Sequence, residues 1–291
     1  MRNEDAEQRA PLPEPRFVPS TGDVRVATYD LGGTGGDVLM VHATGFCAGV
    51  WTATAHHLDG VGRLAALDVR GHGRSSTPAG GMDWHGTADD VLAAVDALGL
   101  ERPFGVGHSM GGASLLLAEQ ARPGTFRGLW LFEPIVFPPL DLDGEPPNPL
   151  AEGARRRRTT FASADDAYAN FASKPPLSEL HPAALAAYVE HGFEELDDGS
   201  LRLRCEPEVE AQTYEMGMQH DAFARLGEVR CPVTVLRGRV DRPGPASVAP
   251  LVAEALPAGV LEDHPELGHF GPLEDPAAMA ASIRSAVTAA P

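Results

Sequence analysis

Apolar segments of strand length alternate with segments of helical period along most of the chain, the pattern of a parallel sheet wrapped by helices. Val24 to Tyr29 reads as an early strand and Val38 to His42 as a buried one. Trp51 to Leu58 is helix-like, Leu64 to Val69 is the next strand, and Val91, Val95 and Leu98 place an apolar stripe on a helix. Phe104 to Val106 is a short strand, Ala113 to Ala121 a helix that stops before Pro123, and Leu129 to Phe132 a further strand. From about Phe137 to Arg225 the alternation ceases: prolines are frequent, several stretches are helical and no strand pattern stands out. It resumes with a strand at Val233 to Leu236, a helix around Val248 to Leu256, a strand near Val260 to Glu262 and a last helix from Ala277 to Thr288.

This order predicts an α/β protein with a mostly parallel central sheet flanked by helices. Its core is expected over residues 17–136 and 226–291, with a helical cap inserted over 137–225 and a flexible tail over 1–16. Pro138, Pro139, Pro146, Pro147 and Pro149 make a stiff lead-in to the insert. Within it, Tyr168, Phe171, Leu185, Tyr188, Phe193, Tyr214, Met216, Met218 and Phe223 are expected mainly to pack the insert itself, some of them lining a pocket.

The segment with the most chemistry is Gly107-His108-Ser109-Met110-Gly111, between the apolar run Pro103 to Val106 and a helix. A G-x-S-x-G turn between strand and helix strains the serine backbone and stands its hydroxyl at the helix N-terminus, where N–H groups favour developing negative charge. A serine hydroxyl needs a base, and the base a carboxylate to orient it. Of eleven histidines, His269 lies in Leu267-Gly268-His269-Phe270-Gly271-Pro272, after the last strand and so at the same edge of the sheet as Ser109. For the acid, Asp241 in Gly238-Arg239-Val240-Asp241 is the first choice and Glu133, ending the preceding core strand, the alternative. His42 and His72 read as loop-ordering groups, His108 as packing under the serine turn, Asp68 and Arg70 as an ion pair or loop brace, and Cys47 as a small buried thiol.

On these residues the chain resembles the α/β-hydrolase superfamily, over nearly everything from Phe17 onward. The serine turn, the Gly-x-x-Asp turn and the Gly-His loop are joined by Asp68-Val69-Arg70-Gly71-His72-Gly73-Arg74-Ser75, similar to that superfamily's D-x-R-G-x-G-x-S loop. His42-Ala43-Thr44-Gly45-Phe46 stands in place of its His-Gly oxyanion loop, with Ala43 where relatives often carry Gly. The resemblance implies Ser109 as nucleophile, His269 as base, Asp241 or Glu133 as acid, and an oxyanion hole from the N–H groups of Thr44 and Met110. It further implies an enzyme without cofactor or metal that hydrolyses a carboxylic ester or lactone of a small apolar molecule through an acyl-enzyme. C–C bond hydrolysis or thioester hydrolysis by the same triad is the alternative. A receptor-like small-molecule-binding protein that retains the fold is the alternative of another class.

Composition narrows the partners. At 291 residues and 43% apolar content the chain can bury a large core, and its apolar runs fall short of a membrane helix. The net charge of -18 opposes nucleic acid and anionic lipid. The basic run Arg155 to Arg158 reads as the solvated face of a helix. Cys47, Cys205 and Cys231, odd in number and without metal-ligand spacing, fit reduced thiols in a cytoplasm. The expected partner is a small-molecule substrate, bound by a monomer or homodimer, with no nucleic acid and no membrane.

Overall fold

A computed structural model describes residues 9–139 and 148–291. Eight strands form one sheet: β1 Arg16–Pro19, β2 Arg25–Gly32, β3 Asp37–Val41, β4 Arg63–Leu67, β5 Phe104–His108, β6 Gly128–Phe132, then β10 Val233–Arg237 and β11 Gly259–Asp263. Their order across the sheet is β1-β2-β4-β3-β5-β6-β10-β11, with β1 and β2 antiparallel and all pairs from β4 to β11 parallel. Three short strands, β7 Thr160–Phe161, β8 Phe193–Glu195 and β9 Leu201–Leu203, make a second antiparallel sheet inside the insert.

The period-2 pattern of the central strands explains the two-sided core. Val38, Met40, Trp130 and Phe132 point to one face, where the helices Trp51–Ala55 and Pro276–Ala289 pack. Leu39, Val41, Leu129 and Leu131 point to the other, against the helices Trp84–Leu98, Met110–Ala121 and Pro245–Ala255. Helix limits follow local chemistry. Asp83 caps the first turn of Trp84–Leu98 by accepting from the Gly86 N–H at 2.6 Å, and Gly99 ends that helix at φ 63°. Asp275 caps Pro276–Ala289 in the same way, with proline at the first helical position.

Each core strand and helix expected from the pattern is present within a few residues. Three expectations need correction. β1 was not anticipated, because only Val18 of its four residues is buried and the pairing with β2 rather than any apolar pattern makes it a strand. The insert is not purely helical: its sheet is built from strands of two or three residues, too short for a period to register, around a turn at Gly199 with φ 80°. The expected flexible tail falls outside the described residues over 1–8. Beyond it, Ala10 N–H donates to the Thr52 carbonyl at 2.9 Å and Arg9 pairs with Glu190 at 2.8 Å, so residues 9 and 10 are laid against the body of the protein. Pro146 and Pro147 also lie outside the described residues.

The insert rests directly on the carboxyl ends of the sheet. Its helix Pro182–His191 packs on the Ala48–Val50 turn and on Trp51–Ala55, the His181 N–H donates to Leu273 O at 2.8 Å, and Trp84 Nε1–H donates to Met216 O at 2.6 Å. Phe161, Phe171, Tyr188 and Phe193 stack on one another with centroids 5.4 to 6.0 Å apart, so most of the insert's aromatic surface serves its own packing. Among the described residues no helix is long and apolar enough to cross a membrane.

Candidate active site

Ser109 sits between β5 and the helix Met110–Ala121 with φ 55° and ψ -113°, a backbone conformation that costs a non-glycine residue of order 1–3 kcal/mol. Two hydrogen bonds hold it there: its N–H donates to Phe132 O at 2.9 Å, and its carbonyl accepts from Ile135 N–H at 3.2 Å. A Cβ at Gly111 would overlap the Val41 carbonyl, so only glycine lets the helix start press against the end of β3. This contact sets the helix start against Val41 and His42, which lead into the loop that carries Thr44. Met110 opens its helix, so its N–H has no carbonyl one turn earlier to serve.

The hydroxyl points at His269. Ser109 Oγ lies 3.1 Å from His269 Nε2, and His269 Nδ1 lies 2.6 Å from Glu133 Oε2. Glu133 is 2% exposed and its second oxygen accepts the Gly238 N–H at 2.8 Å. With both carboxylate oxygens engaged, the carboxylate orients His269 so that Nδ1 carries the proton and Nε2 faces the serine. His108 supports the same loop, its Nε2 lying 2.7 Å from the His269 carbonyl, under a cluster that includes Phe132 and Phe270.

Asp241 is not part of this line. Its side chain is 60% exposed and its carboxylate accepts from its neighbour Arg239 Nε at 3.0 and 3.2 Å. The place beside His269 is already filled from β6, because Glu133 takes φ 45° and reaches across the end of β10 to the Gly238 amide. The chain then continues from Gly238 to Arg239, whose N–H donates to Leu267 O, before turning outward to Asp241. Of the two acids considered, the structure brings Glu133 to His269 and leaves Asp241 in solvent.

The histidines and acids of the neighbouring loops are ordering groups. His42 Nδ1 lies 2.8 Å from Ala43 O, and its Nε2 accepts the Val69 N–H at 3.0 Å, which ties the candidate oxyanion loop to the loop after β4. Burial pulls His42 down to about 4. His72, whose ring centroid is 5.3 Å from that of His42, is pulled to about 4 by burial and then by His42. Asp68 and Arg70 do not pair with each other. Asp68 accepts from Tyr29 Oη at 2.8 Å, Ala48 N–H at 2.7 Å and Arg74 N–H at 2.8 Å, whereas Arg70 is held in a fork by Asp90 at 2.8 and 2.9 Å. Burial, then the Asp68 charge, pushes the Cys47 thiol well above its ordinary range, which suppresses the reactive thiolate. Among the described residues no three His, Cys, Asp or Glu side chains converge as a metal-binding group.

One inward-facing group was hidden in the sequence. Arg155, Arg156 and Arg158 do face solvent and pair with acids of the insert. Arg157 instead turns inward, with Nη1 bonded to Glu210 Oε2 and Nη2 donating to Tyr188 Oη at 2.6 Å. Burial opposes its charge, but Tyr188 and Glu210 more than offset that and keep the guanidinium protonated. A run of four arginines carries no mark of which one points in.

The family model described as "Alpha/beta hydrolase family" matches residues 38–282. The chain belongs to this family. Human monoglyceride lipase is 36% identical over 106 residues, 34% of this chain and 35% of the lipase, so the similarity spans about a third of that relative's length. A non-heme chloroperoxidase of Streptomyces lividans is 28% identical over 221 residues, 70% of this chain and 78% of that protein. The crystal structure of E-2-(acetamidomethylene)succinate hydrolase superposes with a TM-score of 0.77 at 21% identity, covering 96% of this chain and 100% of that one. At that identity it is a likeness of fold, and the eight-stranded, mostly parallel sheet of this alpha/beta hydrolase is the shared feature.

Proposed function

We propose that the protein is a cofactor-independent serine hydrolase that cleaves a carboxylic ester or lactone of a small molecule through an acyl-enzyme. The reading rests on one observation, the line from Ser109 Oγ through His269 to a buried Glu133 at 3.1 and 2.6 Å, built on a strained serine backbone. In this reading His269 Nε2 takes the Ser109 proton as Oγ attacks the substrate carbonyl, and Glu133 stabilises the imidazolium without taking its proton. The oxygen of the tetrahedral intermediate is held by the N–H groups of Thr44 and Met110. Each such donor is worth on the order of 10²-fold in rate. The leaving oxygen departs with the proton from His269. Water then repeats the sequence on the acyl-enzyme and releases the acid. Because the chemistry uses only protein groups and water, the substrate alone is required as partner, and the net charge of -18 supports a small molecule rather than a nucleic acid.

The test is the intact mass after exposure to a small fluorophosphonate. A single phosphonyl adduct is expected on the native protein, none on Ser109→Ala, and slow labelling of His269→Ala. A folded native protein that gains no adduct would overturn the serine-hydrolase reading and favour a binding protein that retains the fold.

A further inference from the structure

The loop that would supply one oxyanion donor meets a cation from the insert. Gly45, next to Thr44, has φ 80°, and a Cβ built on it would lie 2.8 Å from Glu210 Oε1 and 3.3 Å from Arg157 Nη1. Arg157 and Glu210 therefore roof the backbone of this loop, and any side chain at position 45 would collide with them. The roof is fixed from several sides: Glu210 is 4% exposed, Tyr188 is 1% exposed and bonded to Arg157, and Tyr188 stacks on Phe46 at 5.0 Å. Phe46 in turn contacts Phe270, the neighbour of His269, at 5.5 Å.

An ion pair with Glu210 buried and Arg157 mostly so is poor evidence of a stabilising device, since desolvation offsets much of its attraction. Its geometry suits recognition better. A guanidinium has five N–H donors in a planar fork. Among the described residues its hydrogen bonds go to Glu210 Oε2 and Tyr188 Oη, and 19% of its side-chain surface stays accessible although the group lies against the Gly45 backbone. Glu210 and Tyr188 fix the plane of the fork from one side and leave the remaining donors for a ligand.

Resting on the serine-hydrolase reading above, we propose that Arg157 is a specificity-determining residue that receives a carboxylate of the substrate, set only a few bonds from the scissile carbonyl. The substrate is then an acid that is also an ester or lactone, such as the half-ester of a dicarboxylic acid. Glu210 beside the fork favours a singly charged carboxylate over a doubly charged phosphate, because each extra negative charge is repelled by it. A neutral ester of the same size would displace the water that the accessible donors otherwise meet without offering them a carboxylate, and is disfavoured for that reason.

The experiment compares kcat/KM for monomethyl succinate and methyl butyrate, followed by titration of the acid released, in the native protein, Arg157→Lys and Arg157→Met. The double variant Arg157→Met/Glu210→Gln is included so that no buried carboxylate is left without its cation. The native protein is expected to prefer the half-ester by about 10²-fold or more. Arg157→Lys should keep part of the preference, and both Met variants should bring the ratio to within about tenfold of one. A native ratio near one, or a preference that survives in whichever Met variant folds, overturns the proposal. Both results are read only against fluorophosphonate labelling of Ser109: an adduct with no half-ester preference sinks this inference alone, whereas no adduct and no turnover of either ester sinks the hydrolase reading beneath it.

Discussion

The carboxyl ends of the central strands and those of the last two strands on one side of the sheet carry similar residue types in different surroundings. At the centre, β3, β5 and β6 lead into His42, Ser109 and Glu133, which are 0%, 5% and 2% exposed. Toward the edge, β10 leads into Arg239 with Asp241, and β11 carries Glu262 and leads into His264 and Glu266, ion pairs whose acids are 37% to 63% exposed. A carboxylate can orient an imidazole strongly only where water does not compete for the carboxylate, and the Glu133 side chain is 3% exposed against 60% for Asp241. Glu133 meets that condition because the end of β10 and the His269 loop close over it. Asp241 fails it, although its spacing from Gly238 matches the pattern that named it. The location of the acid is thus a property of burial rather than of the turn sequence.

The largest effect should come from neutralising the central acid. In Glu133→Gln the shape and the Gly238 contact can persist, but His269 loses the partner that fixes its tautomer and balances its charge. A fall in kcat on the order of 10³ to 10⁴-fold is expected, with an unchanged circular dichroism spectrum. Ester turnover within tenfold of native would break the comparison and return the acid to another residue.

A second contrast concerns protons. His42, His72 and His108 are buried at the centre and are held neutral, the first two near 4 and the third well below its ordinary value, in each case first by burial. In the unfolded chain the same rings bind protons below about 6.5. The unfolded state therefore holds more protons between about pH 6.5 and 4, so stability is complete above that window and declines as the pH falls through it. His42 and His72 should each contribute roughly 2 kcal/mol of loss by pH 5, and His108 a loss of the same sign. Urea unfolding followed by tryptophan fluorescence at pH 7.5 and pH 5 measures this, and an unchanged midpoint would show that the three rings reach water.

Much of this arrangement was legible in the sequence. The strand-to-helix turn at Ser109 and the Gly-His loop at His269 are each specified by local chemistry: glycine where backbones touch, an apolar strand before and a helix after. Glu133 was legible only as an alternative, because its role depends on a positive φ and on how far a side chain reaches across a neighbouring strand, neither of which spacing reveals. Arg157 was invisible for a related reason. The helix Pro149–Arg155 ends within the arginine run, and past that end the directions of Arg157 and Arg158 are set by contacts with Glu210 and Asp166 rather than by helical period. β1 was missed because it exists through pairing with β2 rather than through burial of a face, and the three-stranded sheet of the insert because its strands are too short for a period to register.

The smallest expected effect is the most pointed test of the centre against the edge. Asp241→Asn removes one charge from an exposed pair with Arg239, and exposed pairs are worth between nothing and about 1 kcal/mol. The variant should keep kcat/KM within about threefold of native and unfold within about 0.5 kcal/mol of it. A loss of 10²-fold or more would require Asp241 to reach His269 in the working enzyme. That would mean breaking the Arg239 pair, displacing Glu133 from the 2.6 Å contact and turning outward a carboxylate that now accepts the Gly238 amide. The buried Gly238 N–H would then be left without an acceptor, at a cost of about 1–3 kcal/mol, with no compensating bond in sight. The expected indifference to Asp241→Asn follows from that imbalance.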